Sequence, residues 1–556
     1  MGRRLVVLFA CCGASFCAGP PEFDLVIRGG DLLDGSGVEA VRADVGVKGD
    51  RITAVGDLSS RRTGAIVDAA GKVVAPGFID TQGQSGTTLL VDGSGESHVR
   101  QGITSEIIGE GSSPAFWTKE TADHDTLQRF SLTFDWGGPA GYFEALEDRG
   151  ISINLGTLVP ATMARREVVG LENRKATPGE LQRMEAFVDR GMRAGGFGLS
   201  SALIYPPGSY ADTAELVALA RVAARHGGIY VSHVRGESFR VQEAVTEAIQ
   251  IGAEAELPVV IFHLKVAARA HWGTMPKVGA LIFRAIEGGQ AVFATQYPYT
   301  AGGTGLLAVL PGWAQEGGRE RAIERLRDPV QRGRIRRDIE TTTDGWENLV
   351  AAAGFDGIQI ASLPPGADQA LLGRRLAEVA AERRTDPWTT LFDLLVEHEG
   401  RIGALYHMMS EDDVRTAMQY GFVMIGTDAA ALRPEGELGR GRPHPRAYGT
   451  YPRILGRYVR DEKVLALRDA VARMTSLPAR AFGIPRRGLV REGYYADLVV
   501  FDAATVADRA TYEQPHRYPT GIEYVVVNGV VTVTPQGHTG ARAGRPLRHA
   551  AAGNPD

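Results

Sequence analysis

Eight short apolar runs, at 73–80, 104–108, 152–158, 198–203, 229–234, 258–264, 291–297 and 422–427, alternate with stretches of helical period. This alternation narrows the fold more than any other feature. Parallel strands need a crossover of a dozen or more residues, usually a helix. Eight such units predict an α/β fold, a closed (β/α)8 TIM-type barrel, ahead of an open doubly wound sheet. The stretch 241–251 shows the helical pattern, with Val241, Val245, Ala248 and Ile249 on one face.

The flanks read differently. Strand-like pieces at 23–30, 43–47, 52–55 and 65–68 are punctuated by Gly and Asp, and the texture returns at 496–501, 524–527 and 530–533, where Asn528-Gly529 marks a hairpin turn. The two flanks are expected to form one small β-sandwich domain, 22–72 with 485–540, around a barrel at 73–484. Within the barrel, 306–407 carries helices and many Arg, Asp and Glu, which suits an inserted cap over the mouth. The stretch 541–556 reads as a loose tail.

Arg3 and Arg4 precede an apolar run at 5–18 that meets Gly19-Pro20-Pro21, the layout of a signal peptide at 1–19 and of an exported protein, periplasmic or secreted. The run is shorter than the ~20 residues that span a bilayer. Leu8-Phe9-Ala10-Cys11 also loosely matches a lipoprotein signal, which leaves a lipid anchor open. Cys11, Cys12 and Cys17 all fall in this segment, so a cleaved chain holds any metal with His, Asp or Glu alone. A net charge of −5 without a long basic run argues against nucleic acid and anionic membrane surfaces as partners. Gly is high, 70 of 556, as suits an enzyme with many tight turns between strands and helices.

Catalytic groups of such barrels follow the carboxyl ends of the strands. Strand two ends in Gly109-Glu110-Gly111, strand five in Ser232-His233, strand six in Phe262-His263 and strand eight in Gly426-Thr427-Asp428. Glu110, His233 and His263 make a His₂Glu set, a known ligand type for a hydrolytic zinc with one open position. Asp428 is placed to take a proton from water and return it to a departing nitrogen. Most of the other histidines, among them His98, are read as satisfied core or surface residues.

These residues resemble the amidohydrolase superfamily, and within it the N-acyl-D-amino acid deacylase (D-aminoacylase) branch. The resemblance runs over nearly the whole chain after residue 19. It rests on Val73–Asp80, Tyr230–Arg235, Phe262–Lys265, Tyr297–Gly302, Ile425–Asp428, Arg442–Arg446 and Gly493–Asp502. It implies a barrel with a small β-sandwich, zinc, and hydrolysis of an amide beside a carboxylate. By motif, His233 and His263 match metal histidines, and Asp428 the acid/base aspartate. Lys265 and Tyr297 match positions that face substrate, as Arg446 is expected to do, with Lys265 pairing the substrate carboxylate. Two departures stand out. Glu110 replaces the cysteine usual after strand two, and a carboxylate can take over as ligand. Gln82-Gly83-Gln84 replaces His-x-His after strand one, and neutral carboxamides are poor zinc ligands. One zinc rather than two is therefore expected, with Gln82 and Gln84 turned to substrate or to the metal's water. Three readings stay open: a zinc amidase acting on an N-acyl amino acid or short peptide, an inactive relative that binds a ligand, and a cyclic amidase or deaminase.

Overall fold

A computed structural model describes residues 20–342 and 345–549. The signal segment, with Cys11, Cys12 and Cys17, lies outside them. Eight parallel strands form the barrel: β1 (Phe78–Asp80), β2 (Ile103–Ile108), β3 (Asn154–Thr157), β4 (Gly198–Ala202), β5 (Ile229–His233), β6 (Val259–Ile261), β7 (Val292–Gln296) and β8 (Val423–Ile425). β1 to β3 pair in order. Past Leu158 the chain continues as Val159–Pro160 and turns its hydrogen bonds from β2 to β4, after which β4 to β8 pair in order. The ring closes at its mouth, where Gly83 bridges Ala429 and the Asp428 amide donates to the Gln82 carbonyl at 2.8 Å.

The strands bury both faces, as parallel strands under helices must. Ile79, Ile107, Val231, Val260 and Met424 cluster with Phe482 and Ile484, and Tyr230, Val259 and Ile261 join the helix Val241–Ala255 in the larger core. No helix among the described residues is long and apolar enough to cross a membrane.

The first apolar run is two strands, not one. Val73–Pro76 pairs antiparallel with Leu498–Phe501 in the small sheet, and only Phe78–Asp80 enters the barrel. Pro76 has no amide hydrogen to continue a ladder. Gly77 lets the chain press onto Thr104, whose Oγ1 would lie 2.2 Å from a Cβ. The small sheet has nine strands drawn from both flanks around Leu25, Ile27, Val45, Val47, Leu498, Val500 and Val526. Its hairpin turns at Asn528 (φ 47°) and Gly529 (φ 83°), the double positive φ of a tight hairpin.

The inserted region has its own antiparallel sheet, in which Gly403–His407 lies between Ala301–Gly305 and Ile358–Ser362, and its own core around Ile323, Leu326, Leu391 and Phe392. It thus begins at Ala301, ahead of the expected 306. The stretch 541–549 is not loose: Gly544 donates to the Ile151 carbonyl, Leu547 to Leu155 and His549 to Gly195, so it packs along the barrel floor. Unsatisfied strand-end groups there need partners, a demand that sequence polarity does not reveal.

A buried polar knot couples small sheet and barrel. Arg487 pairs with Asp497, Asn528 donates to Asp497 through its backbone (2.8 Å), and Asn528 Nδ2 donates to Asn154 of β3 (2.8 Å). Asp497→Ala strands a buried guanidinium and is expected to cost about 3–5 kcal/mol, measured as a lowered urea midpoint.

Candidate active site

Glu110, His233 and His263 converge above the barrel mouth. Glu110 Oε1 lies 2.8 Å from His233 Nδ1 and 3.0 Å from His263 Nε2, and the two ring nitrogens are 2.9 Å apart. Each is set by its strand. His233 ends β5, His263 follows β6, and Glu110 follows Gly109, whose φ of 111° swings the chain off β2. Burial opposes ionisation of Glu110, but the two imidazoles outweigh it and hold its carboxyl well below the usual range. Burial and Lys265 work against charge on His263, yet Glu237 and Glu110 raise its pKa to about 9.

Sequence reading missed Glu237, four residues beyond His233. It is buried, lies 2.8 Å from His263 Nδ1 and takes the Lys265 ammonium at 2.5 Å. Lys265 Nζ also lies 2.7 Å from His263 Nδ1, so Glu237, Lys265 and Nδ1 form one cluster behind the ring, and Nε2 is the nitrogen turned to Glu110 and His233. Lys265 is therefore committed to Glu237, and the expected pairing of Lys265 with a substrate carboxylate meets an ammonium already neutralised.

The donor set suits zinc. One carboxylate oxygen and two imidazole nitrogens face one point. They need only a few tenths of an ångström more to reach the ~3.3 Å separations that bonds of ~2.0–2.1 Å impose on a tetrahedron.

Around them lies a cavity of about 250 Å³ lined by Gln84, Tyr205, Lys265, Tyr297, Asp428 and Arg446, with Ile204, Leu349, Tyr406 and Met408 as apolar walls. Leu349 and Tyr406 come from the inserted region, and Met408 follows its central strand. Arg446 Nη1 lies 2.7 Å from Asp428 Oδ2, its guanidinium stacks 4.5 Å from the Tyr297 ring centroid, and its Nε has no hydrogen-bond partner among the described residues. His444 braces it: Nδ1 accepts from the Arg446 amide at 3.0 Å, so Nε2 donates to the Ala301 carbonyl at 2.9 Å. Burial raises the Asp428 carboxyl, against the pull of Arg446 and with help from Glu110.

Gln82 does not line the cavity. It is 1% exposed, its Oε1 accepts from the His263 amide (3.1 Å) and from the Thr295 hydroxyl, and its Nε2 donates to Glu110 Oε2 (3.0 Å). The expectation that it touches substrate is corrected: both ends of its amide are spent inside the protein. Gly83 between the two glutamines is forced, because a Cβ there would sit 2.0 Å from the carboxylate of Glu106. His98, read as a satisfied core residue, is buried with Nδ1 3.0 Å from that same carboxylate.

His263 (φ 36°) and Asp428 (φ 47°) both hold left-handed backbone. That region costs a non-glycine residue roughly 1–2 kcal/mol, a strain that gathers at functional sites.

Residues 65–533 match the model of the Amidohydrolase family. The D-aminoacylase of Alcaligenes xylosoxydans xylosoxydans is 36% identical over 95% of this chain and 98% of its own. The chain is an amidohydrolase of the D-aminoacylase branch. The N-acyl-D-glutamate deacylase of Bordetella bronchiseptica was solved with zinc and a phosphonate that mimics the tetrahedral intermediate. It superposes on this amidohydrolase with a TM-score of 0.79 at 34% identity, covering 95% of this chain and 99% of its own. A D-aminoacylase structure described in terms of a binuclear metal center, one-metal activation and second-metal attenuation has a TM-score of 0.77 at 36% identity, covering 95% and 100%.

Proposed function

We propose that this amidohydrolase is a zinc-dependent hydrolase of the linear amide in an N-acyl amino acid of D configuration, or in a short peptide, with one ion on Glu110, His233 and His263. The observation that carries the reading is the convergence of those three donors in the same cavity as Asp428 and Arg446. An intact donor set beside an acid/base group favours hydrolysis over a ligand-binding role. Similarity to deacylases of D-amino acids supports the configuration.

Zinc bound there supplies Lewis acidity and lowers the pKa of water toward about 7. The side chains do the rest. Asp428 receives the proton of the attacking water and returns it to the leaving nitrogen, for which a raised carboxyl pKa is suited. Arg446, held flat against Tyr297 and braced by His444, lines the cavity and offers its guanidinium to the substrate carboxylate. Ile204, Leu349 and Met408 face the amino acid side chain. With Lys265 bound to Glu237, no cation among the lining residues remains for a second carboxylate, so an apolar side chain fits better than an acidic one.

The test is hydrolysis of N-acetyl-D-amino acids beside their L forms and cyclic imides, with zinc measured per chain. Turnover of apolar N-acetyl-D substrates with about one zinc supports the reading. Turnover of cyclic imides alone, or no metal in metal-replete protein, overturns it. Arg446→Leu removes a charge-assisted hydrogen bond of about 1.5–3 kcal/mol and is expected to raise KM roughly 10- to 100-fold.

A further inference from the structure

The two carboxamides of Gln82-Gly83-Gln84 are built into the ligand set. Gln82 Nε2 (3.0 Å) and Gln84 Nε2 (3.1 Å) both donate to Glu110 Oε2, the oxygen turned away from His233 and His263. Gln84 Nε2 also lies 3.4 Å from Asp428 Oδ1. Both neighbours of the Gln84 amide are carboxylates, so only its NH₂ end can face them. The far end of Gln82 is anchored on the backbone amide of His263 (3.1 Å) and on Thr295. One side chain therefore ties two donors of the cluster together, and the other sits between two half-buried carboxylates, Glu110 and Asp428, that repel each other.

We infer that Gln82 and Gln84 are positioning residues that take the place of a second cation. They hold Glu110 to a single-oxygen contact with one ion and leave no foothold for another. The inference rests on the proposed metal at Glu110, His233 and His263, and goes beyond it by assigning the glutamines their work. Three observations converge. Glu110 Oε2 already accepts two N–H bonds, which opposes its rotation onto the ion as a second donor. Asp428 meets the Gln84 amide through Oδ1 at 3.4 Å and the Arg446 guanidinium through Oδ2 at 2.7 Å, contacts that disfavour a second cation on its carboxylate. With Lys265 paired to Glu237 and Arg446 to Asp428, Glu110 is the carboxylate left to neutralise an ion, so a second divalent charge would stand unbalanced. The glutamine pair and Glu110 thus form one unit: a carboxylate ligand brings a spare oxygen, and the amides satisfy it.

The test uses the full chain loaded with zinc or with cobalt(II), whose visible bands are strong in four-coordinate sites and weak at higher coordination. The wild type is expected to hold one zinc and to remain at one under tenfold excess. Gln82→Met and Gln84→Met keep the length and lose the donors. Each is expected to bind zinc about 10- to 100-fold more weakly in chelator competition and to weaken the cobalt bands as Glu110 turns both oxygens to the ion. The double variant Gln82→His with Gln84→His is expected to take up two ions. A second zinc in the wild type overturns the inference, as do methionine variants with unchanged affinity and spectrum. If those variants fail to fold, the wild-type titration and the histidine double variant still decide. A wild type that binds no zinc overturns the inference together with the hydrolase reading. One zinc with indifferent methionine variants overturns the inference alone.

Discussion

Asp428→Asn is expected to lower kcat by about 10²–10⁴-fold, the span of general acid–base catalysis, with zinc content unchanged. Asparagine is nearly isosteric, tolerates the left-handed backbone at φ 47°, and can still meet Arg446 and Gln84. It cannot accept a proton from water. The pH profile separates this role from a structural one. Burial raises the Asp428 carboxyl, and the base works only when ionised, so wild-type kcat/KM falls as pH drops through a pKa higher than that of a free aspartate. That acid limb is expected to vanish in the variant. An Asp428→Asn enzyme with near-normal turnover and an unchanged acid limb overturns the assignment.

His263→Asn is expected to abolish zinc retention and to cut kcat/KM by at least about 10³-fold, the loss that follows from several kcal/mol of metal assistance. Asparagine is the informative replacement because position 263 sits at φ 36°, where asparagine is tolerated and alanine strained. Loss of the imidazole is then separated from loss of the backbone turn. Elemental analysis reads the stoichiometry and a thermal melt reads the linkage. A ligand at 1,000 times its Kd stabilises the folded state by about 4.1 kcal/mol, so added zinc raises the wild-type Tm and leaves the variant's unchanged. A variant that keeps one zinc removes His263 from the ligand set.

The strands and the groups at their ends are legible because barrel chemistry has a fixed address: an apolar run followed by Glu110, His233, His263 or Asp428 needs only the β/α period to be placed. What escapes the sequence depends on partners distant in the chain. Nothing near Lys265 shows that Glu237 consumes its charge, because the pair forms across the β5 and β6 loops. Nothing near Gln82 shows that its amide turns inward to the His263 backbone. The split at Gly77 is likewise decided elsewhere, since Val73–Pro76 is a strand of the small sheet only by virtue of Leu498–Phe501. The floor segment 541–549 looks polar and unstructured until the carbonyls of Ile151, Leu155 and Gly195 are seen to accept its amides.

That same pairing of Pro76 with Leu498 sets the order of events as the chain leaves the ribosome. Strands from Phe23 to Asp68 can meet early, but the edge at Val73–Pro76 waits for the entire barrel sequence before its partner exists. An open edge of that kind is a template for pairing with other chains, and contacts so far apart in sequence form slowly. Shielding this nascent edge is therefore expected to raise the yield of folded protein, read as more soluble chain under slower, cooler synthesis or with a holding chaperone.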